Sequence, residues 1–179
     1  MPRHEPAVEY IRQSEVRIAA CADDCFGAIL GSCVTTILWD PERRVGGMNH
    51  LLLPSRSLEV SALRGHEVNL MELLINGVVQ AGAARPALQA KVFGGARMIN
   101  GLGSTGAANV AFVEGFLAEE DIPCVASSTG GQQARRLRVW PAIGRVQQLR
   151  LRERDEVTLA LDAERMRRRA LHYSGVELL

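Results

Sequence analysis

An α+β fold, in which two helices cover one side of a mainly antiparallel or mixed sheet, is what this 179-residue chain predicts. Segments rich in β-branched and aromatic residues recur along the whole length. Only two stretches show helical periodicity, and they do not alternate with the strands as the βαβ units of a doubly wound parallel sheet would require.

The first strand signals are residues 16–21 (Val-Arg-Ile-Ala-Ala-Cys) and 34–39 (Val-Thr-Thr-Ile-Leu-Trp), the second ending at the turn pair Asp40-Pro41. Val45-Gly-Gly-Met-Asn-His-Leu-Leu-Leu53 follows and stops at Pro54, which predicts a hairpin with the preceding strand. Between Gly65 and Gly82, Val68, Met71, Leu74, Ile75, Val78 and Val79 recur at three- and four-residue steps and form one apolar stripe of an amphipathic helix. A second helix is expected from about Gly106 to Glu120, capped by Ser104 or Thr105 and buried through Val110, Val113 and Leu117. Strands then resume at Leu88 to Phe93, Pro123 to Ser127, Leu137 to Trp140 and Val146 to Leu151. The last two read as a hairpin with Leu137, Val139, Leu149 and Leu151 on one face and Arg136, Arg138, Arg150 and Arg152 on the other. Such a guanidinium face is either a solvated strand surface or a dock for an acidic partner. A basic helical tail occupies about 160–179, and with no repeat or low-complexity linker the whole of 1–179 reads as one domain with its core in about 16–151.

Composition excludes several classes. Hydrophobic residues make up 47% and charged residues 23%, as in ordinary globular domains, and a chain of this size buries roughly 70% of its unfolded surface. A net charge of +1 gives no bulk attraction to nucleic acid. No apolar run approaches the ~18 residues of a membrane span and the N-terminus lacks a signal-peptide core, so no membrane insertion and a cytoplasmic location are expected. Cys21, Cys25, Cys33 and Cys124 are too few and too scattered for a disulfide framework. Cys21 and Cys25 have zinc-like spacing, but no second pair completes a ligand set, so no metal is expected. Gly94-Gly95-Ala96 and Gly101-Leu102-Gly103 match neither a dinucleotide nor a phosphate loop, and no cofactor is implied.

Chemistry concentrates at Cys33, in Leu30-Gly31-Ser32-Cys33-Val34, and at His50, in Gly46-Gly47-Met48-Asn49-His50. Cys33 sits at the mouth of the hairpin's first strand and His50 on its second, so the two can be cross-strand or diagonal neighbours. A thiol beside an imidazole is a nucleophile with its base, and the imidazole can lower the thiol's pKa to supply thiolate at neutral pH. Gly31 and Ser32 would let backbone amides approach a developing oxyanion, with Asn49 as a further substrate contact. On spacing alone, a cysteine at a strand start is most often a small buried hydrophobe and a histidine before Leu-Leu-Leu a satisfied structural group; the glycine-rich setting of both favours catalysis. His4, His66 and His172 have no comparable company.

Leu30-Gly-Ser-Cys-Val34, Trp39-Asp-Pro41, Gly46-Gly-Met-Asn-His50 and Leu53-Pro54 together resemble the chemoreceptor glutamine deamidases, the CheD family. Phe93-Gly-Gly-Ala-Arg-Met98, Gly106-Ala-Ala-Asn-Val110 and Thr129-Gly-Gly131 leading into Arg135 are similar to it as well, in the same order from about Val16 to Leu151. The resemblance implies a three-layer α/β/β fold shared with glutamine-deamidating toxins. It implies a cysteine hydrolase that converts glutamines of methyl-accepting chemotaxis receptors to glutamate, with Cys33 as nucleophile and His50 as general base. It also implies, for some members, a CheC-type phosphatase as partner. The family's third catalytic residue, a threonine six positions before the cysteine, is replaced here by Gly27. The rival reading is a degenerate deamidase fold that only binds chemotaxis partners.

Overall fold

The computed structural model describes residues 7–52, 60–97 and 105–152. Val34–Asp40, buried throughout its length, is the natural centre of a sheet. It is strand β4 of a five-stranded sheet in the order β2-β5-β4-β6-β7, where β2 is Val16–Ile18, β5 Val45–Asn49, β6 Gln89–Gly94 and β7 Cys124–Thr129. A second sheet has the order β1-β3-β8-β9, from Val8–Tyr10, Cys25–Leu30, Arg135–Trp140 and Arg145–Arg150. The pairs β1/β3 and β6/β7 are parallel and the other pairs antiparallel.

Because side chains alternate along a strand, β4 feeds two cores. Val34 and Leu38 pack with Met71, Leu74, Ile75 and Val78 of helix α1 (Val60–Gln80) and with Val113 and Leu117 of helix α2 (Thr105–Glu119). Ile37 and Trp39 face the other sheet and join Phe26, Ala28, Leu30, Leu137 and Val139. Helices, five-stranded sheet and four-stranded sheet therefore stack as α/β/β. The α+β expectation holds, and so does the helical stripe at Met71, Leu74, Ile75 and Val78, whereas Val68 and Val79 at its margins are exposed. Helix α1 begins before Gly65, whose missing side chain meets nothing and so marks no boundary.

Two strands escape the sequence reading, β1 and β3. Cys25-Phe-Gly-Ala-Ile-Leu30 has one β-branched residue and a central glycine, a weak strand signal. Packing overrides it, since a Cβ at Gly27 would lie 2.8 Å from Val8 Cγ1 and 2.9 Å from Tyr10 Cε1 of the neighbouring strand. The four-guanidinium face is also corrected. Leu149 pairs with Arg136 and Arg150 with Arg135, so β9 is out of phase with the predicted alternation. Leu149 is consequently 59% exposed beside Arg136, while Arg135 is buried on the opposite face. A single continuous arginine surface does not form. The basic tail, the Ser104 cap, Leu53-Pro54 and Met98 lie outside the described residues.

Candidate active site

Cys33 follows the bend at Gly31-Ser32 that carries the chain from β3 in one sheet to β4 in the other. Beyond the regular part of β5, Val34 and Leu51 exchange both backbone hydrogen bonds, at 2.8 and 2.7 Å. That register sets Thr35 opposite His50 and leaves Cys33 as the diagonal neighbour of His50, with Cβ atoms roughly 7 Å apart. Val34 and Leu51 point to the helices, so Cys33, Thr35 and His50 share the face between the sheets. Cys33 is 6% and His50 5% exposed.

The imidazole is oriented by backbone. His50 Nδ1 lies 3.1 Å from the carbonyl of Ile11. A carbonyl can only accept, so Nδ1 carries the proton and Nε2 presents its lone pair. Among the described residues, Nε2 is buried without a hydrogen-bond partner, and so is Thr35 Oγ1 on the same face. Buried polar atoms ordinarily find partners, so two orphans beside a thiol indicate a place kept for a ligand's polar groups. Thr35→Val, which fills the same volume without the hydroxyl, is expected to raise thermal stability by about 1 kcal/mol while slowing the reaction. Thermal unfolding and turnover of the same preparation check both halves.

Ile11 belongs to the strap Ile11-Arg-Gln-Ser-Glu15, which runs from β1 at the edge of one sheet to β2 at the edge of the other. Ile11 N–H donates to Gly27 O at 2.8 Å, Ser14 N–H to His50 O at 2.8 Å and His50 N–H to Glu15 O at 3.1 Å. From this strap Gln13 Nε2 donates to Cys33 Sγ at 3.3 Å. Nothing in the sequence marks Ile11 or Gln13, because a carbonyl contact leaves no residue preference and a lone glutamine belongs to no motif.

Gly27, in the position of the family's threonine, cannot orient His50. Phe26, Ala28 and Leu30 point inwards, and position 27 faces the side chains of Val8 and Tyr10 on the other side of the strand. Asn49, expected at the site, is turned away from it. Its Oδ1 accepts from Thr36 N at 2.9 Å and its Nδ2 lies 3.2 Å from Met71 Sδ, on the helix side of the sheet. One-residue alternation sends His50 one way and Asn49 the other.

Gly31 and Ser32 do flank the thiol, held through their carbonyls. Ala96 N–H donates to Gly31 O at 2.8 Å, Asn109 Nδ2 to Ser32 O at 2.7 Å and Gly95 N–H to Cys33 O at 2.8 Å. Gly94 makes this approach possible, since at φ +117° a Cβ there would lie 2.1 Å from Cys33 O. Behind it Gly130 N–H donates to Gly94 O at 2.9 Å and Arg97 N–H to Gly131 O at 2.8 Å. The buried guanidinium of Arg135 in turn binds the carbonyls of Ser128 and Gly130. Gly94-Gly95 and Gly130-Gly131, dispersed in sequence, converge into one cradle behind the Cys33 bend, while Gly101-Leu102-Gly103 lies outside the described residues. Among the described residues no group of three or more histidine, cysteine or acidic side chains could hold a metal.

Burial pushes the Cys33 thiol above its ordinary value, against the opposing pull of Gln13 and of its own backbone amide. Burial likewise pushes His50 below its ordinary value, opposed by the Ile11 carbonyl and by Glu15. Both directions run against the expected histidine-lowered thiol, because burial between the sheets disfavours the charged form of each group. A neutral Nε2 lone pair on the same face as a thiol is compatible with a base-assisted nucleophile once a substrate brings the groups together.

The α/β/β fold thus holds a thiol and an oriented imidazole on one face at the junction of its two sheets, an arrangement compatible with a cysteine nucleophile. A family model described as CheD chemotactic sensory transduction matches residues 53–150. A relative from Cereibacter sphaeroides, a probable chemoreceptor glutamine deamidase CheD, is 44% identical over 151 residues, covering 84% of this chain and 76% of its own. One of the same description from Caulobacter sp. strain K31 is 46% identical over 147 residues, covering 80% and 78%. Another from Rhizobium etli is 44% identical over 142 residues, covering 78% and 77%. A solved structure, a Neisseria meningitidis protein of the DUF152 family, superposes with a TM-score of 0.47 at 11% identity over 69% of this chain and 64% of its own. The chain belongs to the CheD family.

Proposed function

We propose that this protein is a chemoreceptor glutamine deamidase, which hydrolyses the side-chain carboxamide of selected glutamines on methyl-accepting chemotaxis receptors. The observation that carries the mechanism is the anchoring of His50 Nδ1 to the Ile11 carbonyl, which leaves Nε2 unpartnered on the face it shares with Cys33. His50 Nε2 takes the Cys33 proton as Sγ bonds to the carboxamide carbon. Collapse of the tetrahedral adduct expels ammonia with the proton returned by His50. Water, deprotonated by the same nitrogen, then cleaves the thioester and releases glutamate and the thiol. The product differs by one negative charge, which alters repulsion within a receptor helix bundle and creates a methylatable site. The reaction belongs in the cytoplasm, with the receptor segments it modifies. A CheC-type phosphatase as a binding partner is part of the same proposal.

Mass spectrometry of receptor cytoplasmic fragments incubated with the native chain is expected to show glutamine converted to glutamate at a few positions. Fragments left unmodified would overturn the assignment. A second reading, a module that only holds chemotaxis partners, draws on the 6% exposure of Cys33 and its raised pKa. It predicts receptor binding without conversion.

A further inference from the structure

The carboxamide expected from Asn49 is contributed to the site by a different residue. Gln13 Nε2 lies 3.3 Å from Cys33 Sγ, and an amide nitrogen can only donate, so sulfur is the acceptor. We infer that Gln13 is a catalytic residue, whose N–H stabilises negative charge first on the sulfur and then on the oxyanion of the tetrahedral adduct. The inference rests on Cys33 being the nucleophile of the proposed deamidase.

In that adduct the substrate oxygen is attached to the carbon newly bonded to Sγ, one atom beyond the sulfur. A donor already in contact with Sγ reaches this oxygen by a small side-chain rotation, within the ~3 Å at which an oxyanion donor acts. Atoms and charges then balance without further groups. The thiol proton moves to His50 Nε2, the S–C bond forms, and the carbonyl π pair moves to oxygen, where the Gln13 N–H meets it. Collapse restores the carbonyl and releases ammonia with the proton from His50. Gln13 itself neither gains nor loses a proton.

The site has a particular need for such a donor. Among the described residues no cation acts on the Cys33 thiol, and burial disfavours the thiolate. The carbonyls of Gly31, Ser32 and Cys33 accept from Ala96, Asn109 and Gly95, which fixes the loop, and the Cys33 amide and Gln13 are the two donors that act on the sulfur. The strap that carries Gln13 is fixed at Ile11, Ser14 and Glu15 by backbone bonds, two of them to His50 itself. Ser14, the next residue, holds a left-handed φ of 64°, a strained conformation for a residue with a side chain. One five-residue segment thus orients the base through Ile11 and supplies the donor through Gln13, so their mutual geometry is set together. Gln13 is itself exposed, so the donor can be reached from solvent.

The test compares the native chain with Gln13→Ala and Gln13→Glu on receptor fragments, and follows iodoacetamide alkylation of Cys33 against pH without substrate. Loss of the donor is expected to lower kcat on the order of a hundredfold with KM little changed, and to move the alkylation midpoint upward. Gln13→Glu, which replaces the donor by a carboxylate, is expected to move that midpoint further. Matching thermal unfolding of the variants excludes a folding defect. If instead the side chain merely blocks the thiol, Gln13→Ala will react faster in both assays, and that result, or an unmoved midpoint, would overturn the inference. A native chain without deamidase activity refutes the function itself, a result distinct from a native-like Gln13 variant.

Discussion

Cys33→Ala is expected to abolish glutamine deamidation while the protein folds as before. Loss of a covalent nucleophile removes the reaction path itself, with rate losses on the order of 10⁶-fold when a hydrolytic site depends on one. The structural role of the side chain is small by comparison. It fills a modest volume at the edge of the inter-sheet core, where trimming one sulfur costs about 1 kcal/mol. Its loop remains pinned by three backbone carbonyls that alanine leaves untouched. Conversion measured by mass spectrometry against near-native thermal unfolding separates the two roles. Residual deamidation close to the native rate would remove Cys33 from the mechanism and leave it as a core residue.

His50→Gln is the second large loss, expected within one or two orders of magnitude of the nucleophile deletion, since neither group acts alone. Its pH signature distinguishes it from a packing defect. The base works when neutral, and burial holds the folded imidazole below its ordinary value of 6.5. As pH falls through 6.5 the native enzyme should therefore keep its kcat/KM, with the acid limb appearing only lower down. Stability has the matching sign. Below pH 6.5 the unfolded chain takes up a proton that the folded site resists, so the native protein loses stability as pH falls towards the depressed folded pKa. His50→Gln should flatten that acid dependence. Cys33 behaves in the opposite direction: its raised folded pKa gives stability that is present below 9.0, the ordinary value, and lost as pH rises through the folded one. An acid limb centred at or above 6.5 would show that His50 is solvated during turnover, contrary to its position between the sheets.

The hairpin that joins the pair was legible because β4 and β5 carry strong strand composition around a proline turn, and diagonal proximity follows from that register alone. The helices were legible by periodicity. What lay beyond reach was the third group around the imidazole. Position 27 drew attention as a vacancy, yet it faces Val8 and Tyr10 on the opposite side of β3, and the orienting atom is a main-chain oxygen of Ile11. Main-chain atoms belong to every residue, so no substitution pattern could announce this one. Asn49 misled for a related reason, since adjacent residues on a strand face opposite ways and the sequence alone did not say which of Asn49 and His50 turned inwards. The arginine face failed by one step of register between β8 and β9.

The strap between β1 and β2 also sets how the protein should wear out. It lies at the edge of both sheets, held by a few main-chain bonds, the buried side chain of Ile11 and a three-residue strand at either end, outside the helix-backed core. Edges of this kind open locally at a lower free energy than the whole molecule unfolds. On gentle warming, deamidase output should therefore fade while the helical circular dichroism is still intact, and should return on cooling. Amide hydrogen exchange at Ile11 and Ser14 would report the same opening ahead of the strands of the core.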